Sequence, residues 1–368
     1  MNVIKIGITG SSGLLGYHLR AFLYSRKEFE VIAANKEIFA DEAKMHDFVM
    51  QCNVIVHFAG MNRGDDSLLY DTNIKLAQSL INAFEQSKVT PFVVFASSTH
   101  IVRDSAYGRS KKQASELFQT WADSEGGTFA NLILPNVFGE FGRPFYNSVV
   151  STFCYQIAHQ EEPVIINDAE IELIHAQEVA KLVLSVINGK KHGQIRVSGY
   201  QFKVSQLLAQ IQGIAKKYQA QLIPDLRGEL DLQLFNTYRS YLFPDCYPVS
   251  LLLKSDDRGS LFEAVRSLNG GQTFLSSTHP GITRGNHYHL QKVERFLVVG
   301  GKAIIRLRKL FESKVYEFQV SGDTPQYIDM PTFYTHNITN RANEPLLTVF
   351  WAHEIFDPQS PDTYQELV

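Results

Sequence analysis

Four residues in the C-terminal third have types and spacing that suit metal binding: His287, His289, Glu294 and, further on, His336. His287 and His289 are two apart, so on a strand both imidazoles point to one face. Glu294 follows after a tight reversal. Together they offer a nitrogen and oxygen ligand set suited to zinc, iron, manganese, nickel or copper. A lone histidine is more often a surface residue or a satisfied core donor; four at this spacing favour the metal. A second constellation lies in the N-terminal half, where Tyr107 and Lys111 share one face of a helix. A nearby ammonium is expected to lower the phenol pKa from about 10 towards working pH, making Tyr107 a proton donor or acceptor. Ser98, flanked by Ser97 and Thr99, is placed to hydrogen-bond the same substrate oxygen.

The elements that must position this second set are those of a parallel α/β unit. A short apolar strand, Val3 to Ile8, runs into Thr9-Gly10-Ser-Ser12-Gly13-Leu14-Leu-Gly16, and Leu14 to Leu23 has helical apolar spacing. A glycine-rich turn between strand and helix lets backbone N–H groups approach a pyrophosphate at the helix's positive end, so Gly10, Ser12, Gly13 and Leu14 are candidate cofactor contacts. The strand Phe29 to Ala34 ends in Asn35-Lys36, where an NAD site usually carries a carboxylate; Lys36 instead favours NADPH. The buried strand beginning at Asn53 ends in small residues, with Ala59 against the adenosine side. Asn62 and Arg63 follow at the carboxyl edge, where open α/β sheets bind ligands. A helix from Asp71 to Gln86 and a strand from Phe92 to Ala96 then lead to Ser98 and Tyr107.

Past Thr237 to Pro248, an aromatic stretch expected to be an ordered connection, the texture changes. From Val249, strands are predicted at Gln272 to Ser277, Arg295 to Val299, Lys302 to Arg308, Lys314 to Val320, Gln326 to Met330 and Leu346 to Trp351. Close-spaced strands without helices indicate an antiparallel barrel or sandwich. Arg306 and Arg308 face one way, either towards a diphosphate or as an exterior charged face. Two domains are therefore expected, residues 1–244 and 249–368.

The remaining bounds are consistent. The 368 residues suit two domains, and 44% hydrophobic with 20% charged residues suits a globular protein. A net charge of −3 argues against nucleic acid as a partner. The absence of a long apolar run argues against a membrane span. No leader pattern opens the sequence, and Cys52, Cys154 and Cys246 lack any CxxC pair, so buried reduced thiols and a cytoplasmic location are expected.

Gly281 through Gly301 matches G-x5-H-x-H-x4-E-x6-G at every fixed position and resembles the first cupin motif. Gly322 to Asn340 resembles the second, with Phe333 where a glycine is expected. The resemblance implies a small β-barrel in which His287, His289, Glu294 and His336 hold one metal. The N-terminal half resembles the extended short-chain dehydrogenase/reductase family, on T-G-x-x-G-x-x-G, Ser98 and Y-x-x-x-K. Leu134 to Gly139 is similar to that family's R-P-x-N-V-Y-G segment, lacking the arginine and one residue. This implies a Rossmann-type doubly wound sheet, catalytic roles for Ser98, Tyr107 and Lys111, and sugar-nucleotide contacts from Asn136, Arg143 and Asn147. Four stretches (His57 to Arg63, Tyr146 to Tyr155, Asp256 to Gly259, Phe356 to Tyr364) make the whole chain similar to capsular polysaccharide enzymes that fuse a reductase to a cupin.

That last resemblance implies a homodimer acting on a UDP-sugar, a UDP-2-acetamido-2,6-dideoxy-4-hexulose. The cupin, with zinc, would invert C3, and the reductase would reduce C4 with NADPH. The product would be UDP-2-acetamido-2,6-dideoxy-L-talose, on the route to UDP-N-acetyl-L-fucosamine. On chemistry alone, reduction removes the ketone and so stops further epimerisation, which sets the order. Tyr288, Lys292, Tyr334 and His353 are all open as the epimerisation base. Rival readings are a plain ketoreductase with a structural cupin, an iron dioxygenase, and an NADP-dependent sensor.

Overall fold

The computed structural model describes Val3–Val368. The chain packs as two compact units, Met1–Thr152 with Ile165–Leu207, and Phe153–Val164 with Leu208–Val368. By packing, then, Leu208 to Pro248 goes with the β-rich unit, ahead of the change of texture at Val249.

In the first unit the strands are β1 (Ile4–Thr9), β2 (Phe29–Ala34), β3 (Val54–His57), β4 (Phe92–Ser98), β5 (Phe129–Leu134), β6 (Asn136–Phe138), β7 (Glu170–His175), β8 (Gly193–Arg196) and β9 (Tyr200–Lys203). Six of them form a parallel sheet in the order β2-β1-β3-β4-β5-β8. Every residue of β3 and β5 is buried, as expected of strands covered on both faces. The helices of this sheet are α1 (Leu14–Tyr24), α2 (Lys36–Phe39), α3 (Glu42–Gln51), α4 (Asp66–Ser87) and α5 (Ala106–Glu125). Phe48, Leu80, Phe84, Phe95, Phe118 and Trp121 share the core cluster that seats α3, α4 and α5 on the sheet. α4 starts earlier than its apolar spacing suggests, because Asp65 caps it by accepting from Leu68 N at 2.9 Å. The strand order reverses between β1 and β3, which opens a crevice at their carboxyl ends.

Three further helices follow, α6 (Val149–Ala158), α7 (Ala176–Gly189) and α8 (Val204–Gln219). α9 (Glu229–Arg239) was not foreseen and takes the first residues of the expected connection at Thr237. In the β-rich unit lie β10 (Val249–Ser250), β11 (Lys254–Asp256), β12 (Gly259–Leu261), β13 (Gln272–Thr278), β14 (Thr283–Tyr288), β15 (Glu294–Gly300), β16 (Lys302–Lys309), β17 (Val315–Ser321), β18 (Gln326–Met330), β19 (Tyr334–Asn340), β20 (Leu346–Ala352) and β21 (Tyr364–Gln365). They make two five-stranded sheets, β10-β18-β15-β20-β13 and β17-β16-β19-β14-β21, with a β11–β12 hairpin. The strand pairings in these sheets are antiparallel. The fold is thus a Rossmann-type α/β unit followed by an all-β cupin.

A buried charge anchors the cupin sheet: Arg295 donates to both Asp329 oxygens at 2.7 and 2.9 Å, and Tyr218 donates to Asp329 at 2.5 Å. Phe333 takes φ +65°, the conformation a glycine would supply, and its N–H reaches the His289 carbonyl at 2.8 Å, so the turn is kept. Arg306 pairs with Glu317, and Arg308 reaches Glu366 at 2.8 Å, which makes both part of the exterior charged face. Cys52 and Cys154 are buried, but Cys246 is exposed, contrary to expectation, because it lies in the turns after α9.

Candidate functional site

The crevice of the first unit is a cavity of about 620 Å³ whose wall runs from Gly10, Ser12, Gly13 and Leu14 to Ser98, Tyr107 and Lys111. Gly10 has φ +65°, and a Cβ there would stand 2.7 Å from the Ala59 backbone nitrogen. A Cβ on Gly16 would stand 2.2 Å from the Gly10 carbonyl oxygen. The turn therefore closes tightly under α1, whose first N–H groups have no side-chain cap. Such an end leaves backbone N–H groups free to receive an anion.

Lys111 is buried at the inner end of this cavity and donates to the Ala96 carbonyl at 2.8 Å. Burial holds its pKa down to about 8. The expected lowering of the Tyr107 phenol is not found. Burial pushes it up to about 12, with the Ser98 hydrogen bond pulling the other way. The physical reason is that the ammonium sits 6.0 Å from the phenol ring centre and is itself desolvated, so loss of water outweighs its field. A phenol that keeps its proton is in the form a reduction requires. Ser98 also accepts from His100 N at 3.2 Å, and the His100 ring stands edge-on to Tyr107 at 6.0 Å.

The other sequence candidates divide. Asn62, Asn136, Arg143 and Asn147 line the cavity, whereas Lys36 and Ala59 are not among its lining residues. Arg63 is turned to the backbone, donating to the Phe145 and Tyr146 carbonyls at 3.1 and 2.7 Å, and so pins the loop that carries Arg143 and Asn147. Asn73 carried no motif signal, yet it holds the Met61 N–H and carbonyl at 2.7 and 2.8 Å and the Ser110 hydroxyl at 2.9 Å. Beneath α1, the buried Glu140 meets His175 at 3.0 Å, and its carbonyl meets His18 at 3.1 Å.

In the β-rich unit the four ligand candidates converge: their ligand atoms all lie within 4.8 Å of one another. β14 brings His287, the turn after it His289, β15 Glu294 and β19 His336. Glu294 Oε2 is 3.1 Å from His289 Nε2, 3.5 Å from His336 Nε2 and 3.9 Å from His287 Nε2. His289 Nδ1 faces the Asp362 carbonyl at 2.6 Å, and His336 Nδ1 faces the Tyr334 carbonyl at 3.1 Å. A carbonyl only accepts, so both Nδ1 atoms carry a proton and both Nε2 atoms are left to face the cluster. His336 Nε2 is buried with no hydrogen-bond partner. Imidazole nitrogens and a carboxylate oxygen converging this closely need a cation, a proton or a metal ion, between them, and the three-nitrogen, one-oxygen donor set fits a divalent transition metal.

The turn that carries His289 is held by a residue that sequence reasoning did not single out. The Asp362 carboxylate accepts from the N–H groups of Leu290, Gln291 and Lys292 at 3.0, 2.8 and 2.7 Å. The cluster opens on a cavity of about 430 Å³. Of the four open base candidates only Lys292 lines it; Tyr288 stacks on Tyr364, Tyr334 packs on Phe243, and His353 accepts from Val293 N at 3.1 Å.

A glycine-rich βα turn, a Ser–Tyr–Lys cavity at the sheet's switch point and an appended histidine-rich β unit define a class, and the chain belongs to the NAD dependent epimerase/dehydratase family, matched over residues 6–198. Residues 254–364 match the polysaccharide biosynthesis C-terminal domain. The full arrangement is CapF-like. The crystal structure of the capsular polysaccharide assembling protein CapF from Staphylococcus aureus is 31% identical, with a TM-score of 0.64 over 99% of this chain and 100% of that one. CapF with the inhibitor 3-isopropenyl-tropolone is similar at 29% identity and a TM-score of 0.60, over 99% and 100% of the two chains. A UDP-2-acetamido-2,6-beta-L-arabino-hexul-4-ose reductase from Pseudomonas aeruginosa is 31% identical, over 98% of each chain.

Proposed function

We propose that this protein is a bifunctional nucleotide-sugar enzyme of capsular polysaccharide synthesis, which inverts C3 of a UDP-2-acetamido-2,6-dideoxy-4-hexulose and then reduces C4. The observation that carries the reading is one chain holding both a Ser98–Tyr107–Lys111 cavity and a converging His287, His289, Glu294 and His336 cluster. The names of the full-length relatives support the substrate class. The domains would be residues 1–244 for reduction and 249–368 for epimerisation, working in the cytoplasm as a homodimer.

In the first cavity NADPH supplies hydride when bound. Gly10, Ser12, Gly13 and Leu14 would bind the pyrophosphate, with Lys36 and Ala59 on the adenosine side. Asn62, Arg63, Asn136, Arg143 and Asn147 would hold the UDP-sugar. Tyr107 gives its proton to the C4 oxygen, Ser98 orients that oxygen, and Lys111 fixes the floor of the site through Ala96. In the second cavity zinc, held by the four-residue cluster, supplies Lewis-acid stabilisation of the charge that develops when C3 loses its proton. The product would be UDP-2-acetamido-2,6-dideoxy-L-talose, on the route to UDP-N-acetyl-L-fucosamine.

The test is solvent-deuterium exchange at C3 of the keto sugar without NADPH. Metal-loaded protein is expected to exchange C3 and chelated protein is not. Exchange absent from both would leave a plain NADPH-dependent ketoreductase with a structural cupin.

A further inference from the structure

We infer that Glu354 is the base that removes the C3 proton in the cupin cavity, an assignment that rests on the epimerase reading above. The ionisable side chains lining that cavity are Arg284, His287, His289, Lys292, Glu294 and Glu354. His287, His289 and Glu294 turn their ligand atoms to the converging cluster that would hold the metal. Arg284 donates to Thr278 Oγ1 at 2.9 Å and to the Ser277 carbonyl at 3.2 Å, and a guanidinium does not act as a base at working pH.

Lys292 is engaged by the chain itself, donating to the Pro361 carbonyl at 2.5 Å and to Thr363 Oγ1 at 3.3 Å. Glu354 is what remains. It lies two residues past Ala352, which pairs with Glu294 across β15 and β20 and lines the same cavity. Its Oε1 stands 3.8 Å from Lys292 Nζ, and its side chain is 42% exposed, open to substrate rather than sealed in the core. Partial burial pushes the Glu354 carboxyl up, towards a proton acceptor of greater basicity, with Lys292 pulling the other way, and Phe356 beside them gives this rim an apolar wall.

The step balances as a proton transfer. The C3–H bond breaks, the proton passes to a Glu354 oxygen, and the electron pair forms the C3–C4 double bond with negative charge on the C4 oxygen. Solvent water then returns a proton to the opposite face of C3 as the ketone re-forms, and Glu354 releases its proton to solvent. A carboxylate acting on one face with solvent on the other inverts the carbon and incorporates one solvent hydrogen.

The experiment uses the full-length, metal-loaded protein and UDP-2-acetamido-2,6-dideoxy-4-hexulose in D2O without NADPH, following the C3 proton by NMR. E354Q is expected to slow exchange by about 100- to 10,000-fold, the span a positioned base supplies. Its bound metal and metal affinity should match wild type, which a merely structural role would not predict. E354D, which keeps the carboxylate, should recover part of the rate. Should E354Q lose metal, the metal-loaded E354D decides, with slowed exchange in support and wild-type exchange against. Wild-type exchange by metal-loaded E354Q overturns the assignment while leaving the epimerase reading intact. No exchange by the wild-type protein overturns that reading itself.

Discussion

Lys111 is a cation placed inside the protein against one carbonyl oxygen, Ala96 O at 2.8 Å, and burial holds its pKa at about 8. Its folded value lies below its unfolded one, near 10.4, so between the two the unfolded chain binds more protons and stability rises with pH. Relative to K111M, which cannot titrate, wild type should therefore gain about 2.5 kcal/mol between pH 7 and pH 10. Urea unfolding of both proteins at the two pH values measures this. A stability difference independent of pH would show that Lys111 is not desolvated. That Ser98, Tyr107 and Lys111 come together in one cavity was legible in the sequence, but the state of the phenol was not. Helical spacing tells which groups are neighbours, whereas Tyr107 at about 12 reflects water excluded by the whole fold.

At the level of elements, the part of the site hardest to read was β19. Tyr334–Asn340 is a run of mostly polar residues without apolar alternation, yet all seven are buried. Strand signals register half-buried apolar surface, and here several inward residues are polar: His336 joins the cluster of His287, His289 and Glu294, and Asn337 reaches Asn286 at 2.9 Å. The motif located His336; the pattern did not locate its strand. Conversely β15 and the glycine-rich βα turn were legible because their functional residues sit at element ends beside clear apolar runs.

Asp362 belongs to the same scale, since it ties the short strand β21 region to the turn after β14 through three backbone N–H groups and the His289 imidazole. It adopts φ +39°, which glycine and asparagine accept. D362G removes the carboxylate and should weaken metal binding by about 10- to 100-fold, as loss of the groups that orient a ligand does. D362N keeps one acceptor oxygen and should lose less. Competition with a chromophoric chelator gives both values, and an unchanged affinity for D362G would mean that the turn holds its shape without it.

At the scale of the whole molecule, a doubly wound reductase unit and a cupin were both legible, from the switch of apolar period near Val249 and from their motifs. The packing division was not, because Leu208 to Pro248 reads locally as helix and irregular chain while its partners, such as Asp329 for Tyr218, are remote in sequence. On the proposed function, the two cavities would carry consecutive steps on one substrate, the second closing off reversal of the first. The most direct measurement is NADPH oxidation with a UDP-2-acetamido-2,6-dideoxy-4-hexulose, with and without prior chelation, followed by the stereochemistry of C3 in the product. Oxidation giving a product inverted at C3, with the inversion lost on chelation, is the predicted result. Oxidation with C3 unchanged and no dependence on metal would contradict the account.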